Sequence, residues 1–210
     1  MGYSSFKILE NAADLSLLTI EQMRAAANVP NEMQDDALIA MEQRVADAIM
    51  AECDIAVADE GEYPPTLRRE RIEETFDLSC TVRHLILSRR HNITINSLLL
   101  DSAAVTSANY LLKSESGFII RRPSMPDYGW SGTAAVVDYW AGFATVPGAL
   151  QQAAINAISA FWDEVSRSTG LKRIEIPGVM LKEYWITEKS DFLLPDDVKE
   201  ALKRFRNGQV

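Results

Sequence analysis

The chain has 210 residues, 47% hydrophobic and 24% charged, with a net charge of −9 at neutral pH. That composition fits one domain or two small ones with a real apolar core, and excludes a disordered or collagen-like chain. No bilayer span is expected, because the longest charge-free run, 139–162, is broken by Gly142, Pro147, Gly148, Gln151, Gln152 and Asn156.

The first residues lack the basic start and apolar run of a secretory signal, and Phe6 stands where a myristoylation motif needs Ser or Thr, so neither is expected. Thr19 followed by Gln22 forms a capping box that opens a short helix ending near Asn28, before Val29-Pro30. Asn31 and Gln34 repeat the start signal. Met33, Ala37, Leu38, Met41, Val45, Ala48 and Ile49 then recur at three- and four-residue spacing, which predicts an amphipathic helix over about 32–55. Its other side is acidic. Residues 1–66 hold 13 acidic and 3 basic side chains, whereas 67–210 hold 17 and 18. Such a segment is expected to repel a nucleic-acid backbone.

An acidic, proline-broken linker (59–65) separates this helix from a region of period two. Phe76, Leu78, Cys80 and Val82 alternate with polar residues, as do Ile93 and Ile95 before Leu98-Leu99-Leu100, which predicts two strands. Tyr110-Leu111-Leu112 and Phe118-Ile119-Ile120 flank a turn ending in Gly117, a hairpin signature. A turn-rich loop (121–132) and a strand from Thr133 to Ala141 follow. Short connections predict an antiparallel meander rather than βαβ units. Pro147 opens a second long helix with a stripe of Leu150, Ala154, Ala157, Ile158, Phe161 and Val165, ended by Gly170. Its stripe and that of 32–55 are expected partners. The remainder reads as an extended stretch (173–179), the aromatic pair Tyr184-Trp185, and a helix opened by Pro195-Asp196-Asp197 with Lys199, Lys203, Arg204 and Arg206 towards its end.

No glycine loop of the Walker or dinucleotide type is present. Cys53 and Cys80 are too few for a disulfide scaffold or a cysteine zinc site and are expected to be buried thiols. His84 and His91 do not have ligand spacing, and Cys80 and His84 stand too far apart on an extended strand for proton transfer. No catalytic, metal-binding or cofactor-binding residue is therefore expected. The helix pair at 19–50 suggests a DNA-reading motif, but 32–54 carry seven acidic residues against Arg44, which makes groove entry unfavourable. The tail places Tyr184, Trp185, Phe192, Leu193, Leu194, Val198, Leu202 and Phe205 on a segment with few local partners, a pattern suited to docking in a groove of another chain.

Three stretches carry a resemblance: 18–24 leading into 35–39; 136–143 with Val146-Pro147 before an alanine-rich helix; and 194–198 through Leu202 to Phe205-Arg206. In them the chain resembles the head–tail connector (adaptor) proteins of long-tailed bacteriophages and related gene-transfer particles. The resemblance implies an α+β, mainly helical fold, a helix bundle interrupted by a small antiparallel β region. Helices at about 19–28, 32–55 and 147–169 and a β region at about 67–142 would form a connector core (1–170). An extended tail with a short terminal helix (171–210) would dock on a partner.

It further implies a non-enzymatic ring, twelve copies in the particle, beneath the portal protein and facing a stopper or tail-side neck protein, with double-stranded DNA passing through without specific binding. The location implied is the virion neck, reached from the host cytoplasm during assembly, with no cofactor and no membrane. On this reading Glu32, Asp35, Asp36, Glu42 and Asp47 face the channel, and deleting 184–210 leaves a folded protein that no longer joins portal-bearing heads. The alternatives are a DNA-packaging accessory that binds duplex DNA and a small uncharacterised enzyme.

Overall fold

The computed structural model describes residues 4–59, 63–122, 129–166, 173–176, 180–183 and 194–207. The chain groups into two compact units: Met1–Leu15 with Met50–Pro147 and Lys203–Val210, and Ser16–Ile49 with Gly148–Leu202. Each unit is discontinuous in sequence, because contacts between distant segments outweigh chain order.

The first unit is β-rich. Its five-stranded antiparallel sheet joins β1 (Ser4–Glu10), β2 (Glu70–Asp77), β8 (Ala134–Ala141), β4 (Thr94–Leu100) and β5 (Ala103–Ala104) in that spatial order. A second sheet orders β3 (His84–Ile86), β7 (Phe118–Arg121) and β6 (Tyr110–Lys113). Antiparallel pairing is as expected. A simple meander is not, since β8 inserts between β2 and β4. The sequence reading also passed over β1, whose alternating Phe6 and Ile8 sit opposite Glu74 and Ile72. The expected strand at Phe76–Val82 begins and ends earlier, at Glu70–Asp77, and Cys80 is exposed rather than buried. Asp77 stops that strand by accepting a hydrogen bond from the Ser79 N–H.

Alternation along β2 and β8 turns Ile72, Phe76, Val137 and Tyr139 into a core shared with Leu85, Leu87, Ile119 and Trp130. The β6–β7 hairpin closes as predicted, with Gly117 at φ +68°. The β4–β5 hairpin turns through Asp101 and Ser102, both at positive φ, and the Asp101 carboxylate accepts from the Thr133 and Ala134 N–H groups. At the end of β8, Gly142 sits at φ +93°, a conformation that penalises a side chain. Its N–H donates to the His91 carbonyl, and Phe143 N–H donates to the Leu67 carbonyl. A Cβ there would lie 2.2 Å from the Arg68 carbonyl oxygen.

Inward positions of β2 also carry Glu70 and Glu74, both buried. Glu74 accepts from Ser88 N–H (2.9 Å), Ser88 Oγ (2.7 Å) and Tyr139 Oη (2.9 Å), yet burial still raises its carboxyl. The Arg89 guanidinium stands 3.7 Å from Glu70 and donates to the Thr66 carbonyl, while its Nε has no hydrogen-bond partner. Burial pushes Glu70 up to about 7 against the pull of Arg89.

The second unit is mainly helical. It holds α1 (Ile20–Ala27), a 3₁₀ turn (Glu32–Gln34), most of α2 (Asp35–Glu52), α3 (Gly148–Ser166), the hairpin β9 (Arg173–Ile176) with β10 (Met180–Glu183), and α4 (Asp196–Leu202). Thr19 and Gln22 form the expected capping box, and Asn28 ends α1 in the left-handed conformation. Leu38, Met41, Val45 and Ile49 are buried on α2 as expected, but Met33 is 90% exposed, because it belongs to the 3₁₀ turn and not to the helix stripe. Val165 is likewise exposed at the end of α3. The helices approaching α3 most closely are α1 and α4, not α2. Helices and strands share the described residues about equally, so the fold is α+β and its β part is not small.

Gly142→Ala is expected to cost about 3 kcal/mol or more in urea unfolding, whereas Gly148→Ala, with open space around it, stays within about 0.5 kcal/mol. The fold favours protonated Glu70, so its stabilisation is complete below the ordinary carboxylate pKa and is lost as pH rises through about 7. Relative to the wild type, Glu70→Gln should therefore become less destabilising between pH 5 and pH 8, read from urea midpoints at the two values. An unchanged difference would contradict this assignment.

Candidate functional site

The acidic residues expected on one surface separate into three environments. Asp36 and Asp47 are exposed on α2, and Glu32 is exposed on the 3₁₀ turn, 3.7 Å from the Arg24 guanidinium. Asp35 is half-buried and receives Arg24 Nε at 2.8 Å and a second guanidinium nitrogen at 2.5 Å, which holds its carboxyl below the usual range. This pair ties α1 to the start of α2. Glu42 is 3% exposed and accepts from the Leu17 N–H at 2.7 Å. It is a structural acceptor for the approach to α1 and not a surface group, so the expectation that it faces a channel is corrected. Its position beside Met41 on the buried side of the helix was visible in the periodicity; the donor it meets, 25 residues away, was not.

The tail is also redistributed. Leu194, Val198, Leu202 and Phe205 are buried within their own chain, Leu202 completely. Phe205 stands edge-on to Phe143 with centroids 6.0 Å apart. Asn207 donates from its backbone to the Cys53 carbonyl and from its side chain to the Ser88 carbonyl. Phe205 and Asn207 thus belong to the β-rich unit, whereas Leu194, Val198 and Leu202 belong to the helical one. Within the segment 184–210, the described residues 194–207 therefore supply buried side chains to their own chain. Tyr184, Trp185, Phe192 and Leu193 lie outside the described residues.

The β-rich unit carries a surface that the sequence reading did not find. Arg69, Arg90, His91, Phe143, Arg204 and Arg206 line an open cleft of about 680 Å³. Arg69 comes from the run into β2, Arg90 and His91 from the turn before β4, and the other two arginines from the last 3₁₀ turn and the residue after it. Arg69 lies over the Trp140 ring at 5.2 Å and Arg204 over the Phe205 ring at 4.9 Å, which orients both guanidiniums. Arg206 pairs with Glu52. Burial lowers the His91 pKa, so the positive charge of the cleft is carried by arginine. The signal in the sequence was Arg68-Arg69, Arg89-Arg90 and Arg204…Arg206, three short runs more than a hundred residues apart at their extremes.

Burial pushes the Cys53 thiol up to about 12, while Cys80 is exposed. His84 stacks on Phe118 at 5.5 Å. Among the described residues, no three His, Cys, Asp or Glu side chains gather as a metal site requires, and no helix is long and apolar enough to cross a membrane.

Glu42→Ala leaves the buried Leu17 N–H without its acceptor and is expected to cost about 2 kcal/mol in urea unfolding. Glu42→Gln should cost clearly less, and Asp36→Asn and Asp47→Asn less than about 0.5 kcal/mol each. Equal effects at all three positions would contradict the separation of environments.

No family model matches the chain, and no curated protein matches it in sequence. Among solved structures it is similar to a chain from the neck of an empty GTA particle computed with C6 symmetry, with a TM-score of 0.52 and 15% identity over 98% of this chain and 96% of that one. A chain from the neck of a native GTA particle computed with C12 symmetry gives 0.48 and 16% identity, covering 97% of each chain. The first of these likenesses shows a shared α+β fold along essentially the whole chain.

Proposed function

We propose that this chain is a structural component of the neck of a tailed phage or phage-like particle, a connector that forms a ring beneath the portal. The observation that carries the reading is the full-length fold likeness to a chain from a GTA particle neck. It covers the Ala141-Gly142-Phe143 to Val146-Pro147 junction on which the sequence resemblance rests. In this reading several copies, twelve in the assembled particle, extend the DNA channel from portal to stopper or tail-side neck protein. Assembly takes place in the host cytoplasm and ends in the virion.

The exposed carboxylates Glu32, Asp36 and Asp47, with Asp35 beside them, are then the groups turned towards the bore. Repeated around a ring, they keep phosphates from adhering, over the roughly 10 Å that ordinary salt allows. Glu42 has no part in this, being buried. Docking on the portal falls to Tyr184, Trp185, Phe192 and Leu193, since Leu194, Val198, Leu202 and Phe205 serve the subunit's own core.

Negative-stain microscopy of the chain mixed with its portal is expected to show an added ring layer. Replacing Tyr184, Trp185, Phe192 and Leu193 together by Ser should abolish that layer while the far-UV circular dichroism and unfolding midpoint stay unchanged. A layer that forms equally well with the substituted chain rejects the docking segment, and the absence of any layer with the wild type rejects the connector reading.

A further inference from the structure

The arginine cleft of the β-rich unit has no role in the neck reading, which asks only that DNA not be held. We propose that this cleft binds the sugar–phosphate backbone of a nucleic-acid strand. Four arginines, Arg69, Arg90, Arg204 and Arg206, line one open concavity; Arg206 is paired with Glu52, and Glu115 is the carboxylate among the described lining residues. Every cation there is arginine. Its planar fork meets two oxygens of a phosphate at once, which a lysine ammonium does not.

Neutral hydrogen-bonding side chains stand between the charges: Asn92, Thr94 and Ser114. Such groups extend the contacts to the remaining phosphate and sugar oxygens. Phe143, half-buried with His91 at 5.5 Å, supplies an aromatic surface in the same concavity. A basic groove with an aromatic platform is the arrangement by which proteins hold single strands without reading their sequence.

The excess acidic charge lies mainly outside the unit that holds the cleft: the helical unit carries 15 acidic and 8 basic side chains, the β-rich unit 15 and 13. Carboxylates of a second copy are the competing occupant, and they would leave the aromatic surface unused.

The test uses the full-length chain, a fluorescein-labelled twelve-nucleotide oligo-dT, and anisotropy at 50 and 200 mM NaCl. With Arg206 held by Glu52, three phosphate contacts on a single strand correspond to about a 20-fold loss of affinity between those two salt concentrations. Saturable binding with a loss of that order is expected. Arg69→Glu with Arg204→Glu should abolish binding, and Arg69→Lys with Arg204→Lys should retain part of it. Both arginines are exposed, so the unfolding midpoints of the variants are compared first; should the double Glu variant fail to fold, single Arg204→Gln is read in its place with a partial loss expected.

A labelled duplex of the same length should bind more weakly than the single strand, and inorganic phosphate should compete only at far higher concentration than unlabelled oligo-dT. No binding at 50 mM NaCl, wild-type affinity in the double Glu variant, or displacement by inorganic phosphate as readily as by oligo-dT overturns the proposal. So does a double Glu variant whose one defect is lost self-association in sedimentation, which would assign the cleft to a neighbouring copy. None of these outcomes bears on whether the chain adds a ring to the portal, so the two readings fail separately.

Discussion

The backbone at Gly142 is the constraint from which much of the β-rich unit follows. A residue at φ +93° with the Arg68 carbonyl pressed against its α-carbon has to be glycine, because any side chain would occupy the space that carbonyl fills. With the chain bent there, the Gly142 and Phe143 N–H groups reach the His91 and Leu67 carbonyls, and Arg69 N–H returns to the Phe143 carbonyl. Three segments distant in sequence are thus pinned at one point, the end of β8. The same pinning sets Arg69, His91 and Phe143 around one concavity, to which the last 3₁₀ turn adds Arg204. The close approach that makes the fold therefore also makes the cleft.

The second organising feature is the placement of charge inside the β-rich unit. Glu70 and Glu74 occupy inward positions of β2, where alternation alone would place apolar side chains. Glu74 is made tolerable by hydrogen bonds from Ser88, Tyr139 and the Ser4 side chain. Glu70 relies on Arg89, whose guanidinium is itself incompletely hydrogen-bonded. A buried pair of this kind contributes little net stability, because desolvation offsets most of its attraction. Its effect is on pairing: a one-residue slip of β2 against β8 would put both carboxylates on the wrong face and separate Glu74 from Tyr139. The outer face repeats the device, with Arg71 bridging Asp138 and Glu10 across three strands.

Local signals were readable wherever the physics was local. The capping box at Thr19 and Gln22, the hairpin glycine at 117, the strand ending at Ala141 and the helix opened by Pro147 all depend on neighbours within a few residues, and all are present. Misreadings occurred where a distant partner decided the outcome. Met33 fits the helical period but begins in a 3₁₀ turn, and Glu42 fits the acidic run but turns inward to Leu17. Leu194, Val198, Leu202 and Phe205 look unpartnered in sequence because they are buried by segments distant in the chain, as Phe205 is against Phe143. The four exposed or half-buried acidic residues of the candidate site were legible as a charged segment; the arginine cleft was not.

From the sequence alone, the types of most elements, the antiparallel character of the sheet, the acidic first third and the junction that carries the connector resemblance were determined, since each is written in residue period, capping chemistry or composition. Tertiary structure decided which of those charges are exposed, which strands are neighbours, and that the end of the chain belongs to the core. It alone assembled the cleft. The reason is physical: capping and periodicity act over one or two turns of chain, whereas burial, ion pairing and the convergence of like charges depend on distances in space that chain order does not encode.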